Sequence, residues 1–375
     1  MTSPPFCPNP NCSLHTRSAA GRWWQCIGYH TTRCFGEVRR FRCRSCRRSF
    51  SSQTFSTDYY AKKRIDYREL EDLLASSMSV RSLARKFGCS CGSVLNRIDR
   101  LSRQAIAAHS QLRPLASRHE DVCIDGFVSF DRSQYFPNNI TISISTDSRF
   151  VLSFTHATLR RSGSMRPEQK KRRDQLYRGI HFERRPLERS FSELLDELER
   201  DRGPRLHKPL VIITDEKIEY WLALRRHRLY RDQTEESRTA LRRVNSHLPR
   251  TIHNPLFPSN YLDREIRKDQ AAHHRESTCF TRNVANGLSR MSCYLGWHNY
   301  AKRFLVKAPI ASCWTHAEEA GIPSAAQSQS RRRLFRDRAF LSMLEIDATQ
   351  ERIWKKLFPT PGLRQSGRIP AFALD

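Results

Sequence analysis

At 375 residues the chain predicts two or three domains rather than one. Its 66 Lys+Arg against 38 Asp+Glu give a formal net charge of +28, a surplus that asks for a polyanionic partner, of which nucleic acid is the usual one. No run approaches the roughly 18 apolar residues of a spanning helix and the N-terminus has no secretion-type apolar stretch, so the sequence predicts a soluble, cytoplasmic protein without a membrane partner, whose twelve cysteines point to metal rather than disulfides.

The first fifty residues carry nine arginines and one acid, Glu37. Cys7-Pro-Asn-Pro-Asn-Cys12 and Cys43-Arg-Ser-Cys46 form two cysteine knuckles with thirty residues between them, room for a hairpin. Four thiolates at this spacing suit tetrahedral zinc, and with every position filled by protein the ion would be structural. The strand-like Arg40-Phe41-Arg42 before the second knuckle predicts a zinc ribbon over residues 1–58 rather than a finger with a recognition helix. Cys26 and Cys34 lie between the knuckles without close partners and read as ordinary thiols, with His30 a weaker candidate still.

Over residues 62–110 the apolar positions take helical spacing: Leu70, Leu73 and Leu74, then Leu83, Ala84 and Phe87, then Val94, Leu95, Ile98 and Leu101. Three short helices are predicted. Gly88 supplies the turn before the last of them, which makes a helix-turn-helix whose Ser90, Gly92, Ser93, Asn96 and Arg97 would face base edges; an ordinary helical hairpin has the same pattern. Residues 111–119, with Pro114 inside, read as a linker.

Beyond it, Val122 to Phe130, Ile140 to Ser145 and Phe150 to Thr155 are β-rich runs separated by turn formers, an antiparallel meander. A basic insert over residues 160–186 follows, then a helix from about Phe191 to Arg202 and a buried-type strand from Leu210 to Thr214. Strands first, then helix alternating with strand, predict a mixed sheet flanked by helices, an α/β domain over residues 120–310. Residues 311–375 read as a basic tail.

Three acids stand in places that suit chemistry on phosphodiesters. Asp125 lies inside the first apolar strand, where an unpaired charge is costly. Asp215 ends the later buried strand, at the edge where open α/β sheets place ligands. Glu276 lies in the stretch from Asp269 to Asn283, which reads as a helix beginning near that acid, with Glu265 as the rival third acid. Carboxylates are the hard oxygen ligands that Mg²⁺ or Mn²⁺ prefers, and a two-ion site needs several of them around one phosphate.

Zinc ribbon, helix-turn-helix, an Asp within a strand, an Asp after a strand and a Glu on a helix make an order of parts that resembles insertion-sequence transposases of the DDE type, over roughly residues 5–310. Arg282 and Asn283 after the Glu, and the Asn299-Tyr300 pair further on, are similar to positions of that family. The resemblance implies a multidomain protein with an RNase H-like catalytic domain built on a mixed five-stranded sheet, in which Asp125, Asp215 and Glu276 hold two Mg²⁺ or Mn²⁺ ions. It implies double-stranded DNA as partner, both transposon ends and target, cut by activated water and joined through the freed 3′-hydroxyl without a covalent protein intermediate. A homodimer or larger synaptic assembly working on the nucleoid follows from the need to handle two ends. Arg160, Arg161, Lys170, Lys171, Arg172, Arg173 and Arg282 would then track DNA backbones. A DNA-binding regulator without catalysis and an RNase H-like nuclease that does not join are the competing expectations.

Overall fold

The computed structural model describes residues 3–16, 21–117, 119–202, 209–245, 247–274, 279–305, 307, 309, 313–364 and 369. Strands β1 (Trp24–Thr32), β2 (Gly36–Cys43) and β3 (Ser49–Ser51) pair antiparallel as a three-stranded ribbon. Its small core is Trp24, Phe41 and Phe50 packed with Cys7, Cys12 and Cys43. Phe41 meets Trp24 edge-on at 5.1 Å and stacks on Phe50 at 5.6 Å.

Helices α1 (Tyr67–Ala75), α2 (Val80–Lys86) and α3 (Cys91–Leu112) follow, capped by the side chains of Asp66, Ser79 and Ser90. Gly88, at φ +57°, turns the chain between α2 and α3. Leu70, Leu74, Leu83, Val94, Ile98 and Leu101 close the core of this unit. The third helix differs from expectation. It runs for 22 residues through the start of the expected linker and ends in a 3₁₀ turn at Arg113–Leu115 that contains Pro114. Its second half is buried on several sides, because Ala105, Ala107 and Ala108 let neighbouring elements approach closely.

The large sheet has the order β6-β5-β4-β7-β8. Strands β4 (Val122–Phe130), β5 (Pro137–Ser145) and β6 (Val151–Thr158) form the antiparallel meander. Helices α4 (Pro167–Tyr177) and α5 (Pro186–Arg202) lead to β7 (Val211–Thr214), which runs parallel to β4. Then α6 (Ile218–Arg226) and α7 (Arg228–Arg231) lead to β8 (Ala240–Arg243), parallel to β7. The expected mixed sheet with flanking helices is present. Alternation divides its two faces. Val122, Ile124 and Ile212 face Phe191, Leu194, Leu195 and Tyr220 of α5 and α6. Cys123, Phe127, Ile142 and Ile213 face the opposite layer, formed by α8 (Phe257–Asp269), α9 (Val284–Tyr300) and the chain beyond.

Between Asp215 and Glu276 the described chain forms α6, α7, β8 and α8. The helix expected to begin near Glu276 is met only later: α8 ends at Asp269, a 3₁₀ turn covers Ala271–His273, residues 275–278 lie outside the described residues, and α9 starts after its cap Asn283, which accepts from the Asn286 amide. The expected tail is folded as well. Helices α10 (His316–Glu319), α11 (Ser324–Arg336) and α12 (Ala348–Trp354) return to the core, where Leu334, Ile353, Trp354 and Phe358 are buried. At the close crossing of α3 and α9, Gly296 leaves room for Ala105, whose Cβ would lie 3.3 Å from a methyl added there. The ribbon docks on this same C-terminal chain, with the Thr57 amide on the Arg336 carbonyl and the Arg338 amide on that of Phe55, both at 2.9 Å. Among the described residues no helix is long and apolar enough to cross a membrane.

Candidate functional site

The four knuckle cysteines meet. Cys7 Sγ is 3.6 Å from Cys46 Sγ, Cys12 Sγ is 3.9 Å from Cys43 Sγ, and the four sulfurs lie within 4.8 Å of one another. A tetrahedron with zinc–sulfur bonds of about 2.3 Å has edges of about 3.8 Å, which these distances match, whereas a disulfide would bring two sulfurs to about 2.05 Å. Backbone bonds set the knuckles: Cys7 and Cys12 amides donate to Leu14 and Asn9 carbonyls, and the Cys43 amide to that of Arg48. Arg47 takes the left-handed conformation the second knuckle needs, at φ +61°. Burial raises the Cys7 and Cys43 thiols; burial also pushes Cys46 upward, but the Arg48 backbone, Asn9 and the neighbouring cysteines bring it down to about 7. The donor set fits zinc. Cys26 and Cys34 lie outside it, and Cys26 Sγ accepts from Arg39 Nε at 3.4 Å. His15 ties the first knuckle down by bonding the Cys7 carbonyl and Ser342 Oγ, each at 2.7 Å.

The second site follows from sheet register. Cys123 of β4 stands opposite Ile213 of β7, so two residues further Asp125 lies beside Asp215 on the same face. Helix α8 crosses that face along β4. Ser259 Oγ touches Cys123 Sγ at 2.9 Å, and the Arg267 guanidinium lies 4.5 Å from the Phe127 ring centre while donating to the Val128 carbonyl at 3.2 Å. Four helical residues advance about 6 Å and two strand residues about 6.6 Å, so the two elements keep step and Asp263, midway between Ser259 and Arg267, is set over Asp125. The electrostatics agree. Burial first, and then the charge of Asp125, push the Asp263 carboxyl up to about 7 against Arg267, Arg250 and Lys217. Asp125 is itself raised by burial and by Asp215, with Lys217 and the Gly126 amide opposing.

Lys217 sits among these acids. Its Nζ is 2.6 Å from Asp215 Oδ2 and 3.5 Å from Asp125 Oδ1. Burial alone would lower this ammonium, but Tyr220, Asp125 and Asp215 hold it well above the ordinary lysine value. With the lysine between them, Asp125, Asp215 and Asp263 do not bring ligand oxygens within 4.8 Å of one another. The donors still fit a hard cation such as Mg²⁺ or Mn²⁺: they are half-buried carboxylates on one face, and they already hold a positive charge.

Asp263 was not singled out in the sequence, while Glu265, the rival to Glu276, is committed elsewhere, with Lys302 Nζ at 2.5 Å and Lys268 Nζ at 3.2 Å. Glu276 lies outside the described residues. Arg282 is exposed, and Asn283 caps α9. A separate group of Asp196, Glu199 and His227 lies nearer the surface; His227 Nε2 is 3.0 Å from Asp196 Oδ1 and Glu199 pairs with Arg228 at 2.8 Å. A cavity of about 800 Å³ between β6 and residues 358–364 is lined by His156, Phe182, Arg189 and Arg352 and by none of the three aspartates.

Of the residues expected to read DNA, Ser90 and Asn96 are exposed at the start of α3, and Ser93 is half-buried with its amide on Ser90 Oγ at 3.1 Å. Arg97 does not face outward. It is 5% exposed, and its guanidinium donates to the Lys63 carbonyl and to Asn96 Oδ1, both at 2.9 Å. Its place at helical spacing from Val94 and Leu101 turns it toward the incoming chain before α1. The basic insert is built rather than loose: α4 is fixed by Tyr177, whose hydroxyl donates to the Tyr135 carbonyl at 2.6 Å and accepts from the Arg161 amide at 2.8 Å. Arg160, Lys170, Lys171 and Arg172 are exposed there; Arg161 is half-buried near Tyr135, and Arg173 is half-buried and pairs with Asp174 at 2.8 Å. The chain matches no protein-family model and no curated protein.

Proposed function

We propose that the chain is a metal-dependent DNA strand transferase of the DDE transposase type, with Asp125, Asp215 and Asp263 as its acidic triad. The observation that carries this reading is the matched step of α8 along β4, which sets Asp263 over the Asp125–Asp215 pair. The sheet order β6-β5-β4-β7-β8, with acids on the central strand, after its parallel neighbour and on the helix that follows the last strand, supports an RNase H-like catalytic unit. Two divalent ions, when bound, would activate the attacking oxygen and stabilise the leaving one. Asp125 and Asp215 hold them from the sheet and Asp263 from the helix. Exposed Lys170, Lys171 and Arg172 draw in the DNA backbone, and the α3 start at Ser90 and Asn96 meets the major groove. No serine or tyrosine nucleophile is required.

The test uses full-length, zinc-loaded protein with Mn²⁺, DNA carrying the element's ends and a supercoiled target. Nicking and joined products are expected from the wild type, and background levels from Asp125→Asn and Asp263→Asn. Equal products from wild type and Asp125→Asn would refute catalysis at this site. One observation favours a second reading, a zinc-ribbon DNA-binding regulator: the Lys217 ammonium already neutralises Asp125 and Asp215. That reading gains if all proteins bind DNA and none cuts it.

A further inference from the structure

Lys217 is anchored at its root and held at its tip only by ion pairs and a hydroxyl. Its amide donates to Asp215 Oδ1 at 3.2 Å, which fixes the turn into α6. Below the ammonium lies Tyr220, whose hydroxyl is 3.4 Å from Nζ and whose ring is fully buried and stacked on Phe191 at 4.5 Å. Asp125 and Asp215 flank it, and Asp263, Arg267 and Arg250 complete the charges facing the acids from the α8 side. The side chain nevertheless remains 31% exposed, so its long stem can swing outward without disturbing the buried ring.

An ammonium and a divalent ion are alternative answers to the same demand for positive charge between two carboxylates. They cannot both occupy the space 2.6 Å from Asp215 and 3.5 Å from Asp125. We propose that Lys217 is an exchangeable resident cation of the acidic pocket, which must leave Asp125 and Asp215 before a divalent ion can bind there. This inference rests on the reading of the three aspartates as metal ligands. It makes the pocket stable without metal and lowers its affinity for metal by the strength of the lysine's ion pairs.

The experiment measures Mn²⁺ binding to the full-length chain by the electron paramagnetic resonance signal of free Mn²⁺, with Asp125→Asn defining the site. Lys217→Met and Lys217→Gln are expected to bind about tenfold tighter than wild type, or better, and Lys217→Arg no tighter. Thermal midpoints of the zinc-loaded protein in buffer without other divalent ions give an independent readout and verify folding: both neutral variants should melt below wild type and recover more than wild type does when Mn²⁺ is added. Equal affinity in wild type and both neutral variants, at a site that Asp125→Asn abolishes, would overturn the lysine's role and leave the metal site standing. Absence of any Asp125-dependent Mn²⁺ binding, in the lysine variants as in wild type, would overturn both.

Discussion

Replacing Asp263 with asparagine should stabilise the metal-free protein while abolishing strand cleavage. In the folded chain burial and the nearby Asp125 hold this carboxyl up to about 7, whereas an aspartate in an unfolded chain titrates near about 3.9. Between those values the folded state keeps a proton that the unfolded state has lost. Its contribution to stability therefore falls as pH rises through that window, by about 1.4 kcal/mol per pH unit, and stays low above it. The full span amounts to a ceiling of about 4 kcal/mol, and about half of that is realistic for a side chain still touching water. The amide of Asp263→Asn carries no such penalty. Denaturant unfolding of the zinc-loaded protein, followed by circular dichroism in buffer without other divalent ions, should show the variant more stable by about 2–4 kcal/mol at pH 8 and nearly equal to wild type at pH 4.5. Saturating Mn²⁺ should reverse the order at pH 8, since a bound cation favours the ionised acid. A variant less stable than wild type at pH 8 without added Mn²⁺, or a difference that ignores pH, would refute the placement of Asp263 over Asp125.

Zinc chelation should remove amide protection from residues 24–51 and also from 336–342, which the ribbon covers, while β4 to β8 keep theirs; hydrogen exchange reads both. Buried His109 and His316, each held down to about 4 chiefly by burial, should act opposite to Asp263: unfolded histidine takes up a proton first, so stability falls as pH drops from about 6.5 toward 4, by up to about 3 kcal/mol each, measurable as a falling thermal midpoint. Trp354→Ala should destabilise the chain by about 3–5 kcal/mol in denaturant unfolding, because that ring is 1% exposed in the central core. In DNA-binding titrations Lys171→Ala should lower the salt slope by about one at unchanged stability, whereas Arg97→Ala should lower the thermal midpoint.

What could be read from the sequence was local. Two cysteine pairs, the period-two runs of β4 and β5, and acids in or after strands depend on near neighbours, and Asp125 and Asp215 were found that way. The position of Asp263 beside them depends on the azimuth of a helix. On α8 the apolar stripe is Leu262 and Ile266; at about 100° per residue Asp263 falls about 80° to one side of its centre and Glu265 about 80° to the other. Periodicity cannot choose between them. The choice is made by Cys123 and Phe127 on one flank and Lys302 on the other, residues distant in sequence. The tail was opaque for a similar reason: Gln104 and Arg103 look like surface residues of α3, yet they donate to the carbonyls of Leu334 and Trp354, more than two hundred residues away.

The length of α3 changes what the parts can do together. A helix of 22 residues is about 33 Å long, and this one begins at the exposed Ser90 cap and ends against the sheet, where His109 Nε2 meets the Leu152 carbonyl at 2.8 Å and Nδ1 the Tyr300 hydroxyl at 2.8 Å. Ile106 and Ala107 near its end share a core with Cys123 and Phe127, the neighbours of Asp125 on β4. A flexible linker would let the turn proposed to read DNA wander relative to the acids. A continuous helix seated in the same core fixes that distance, so a phosphate held at a set number of base pairs from the sequence read at Ser90 and Asn96 would reach the acids in a defined register. Cleavage position would then be set by the protein's own geometry, and DNA with one or two base pairs inserted between the sequence met at Ser90 and the cut phosphate should lose its defined cut site without losing affinity.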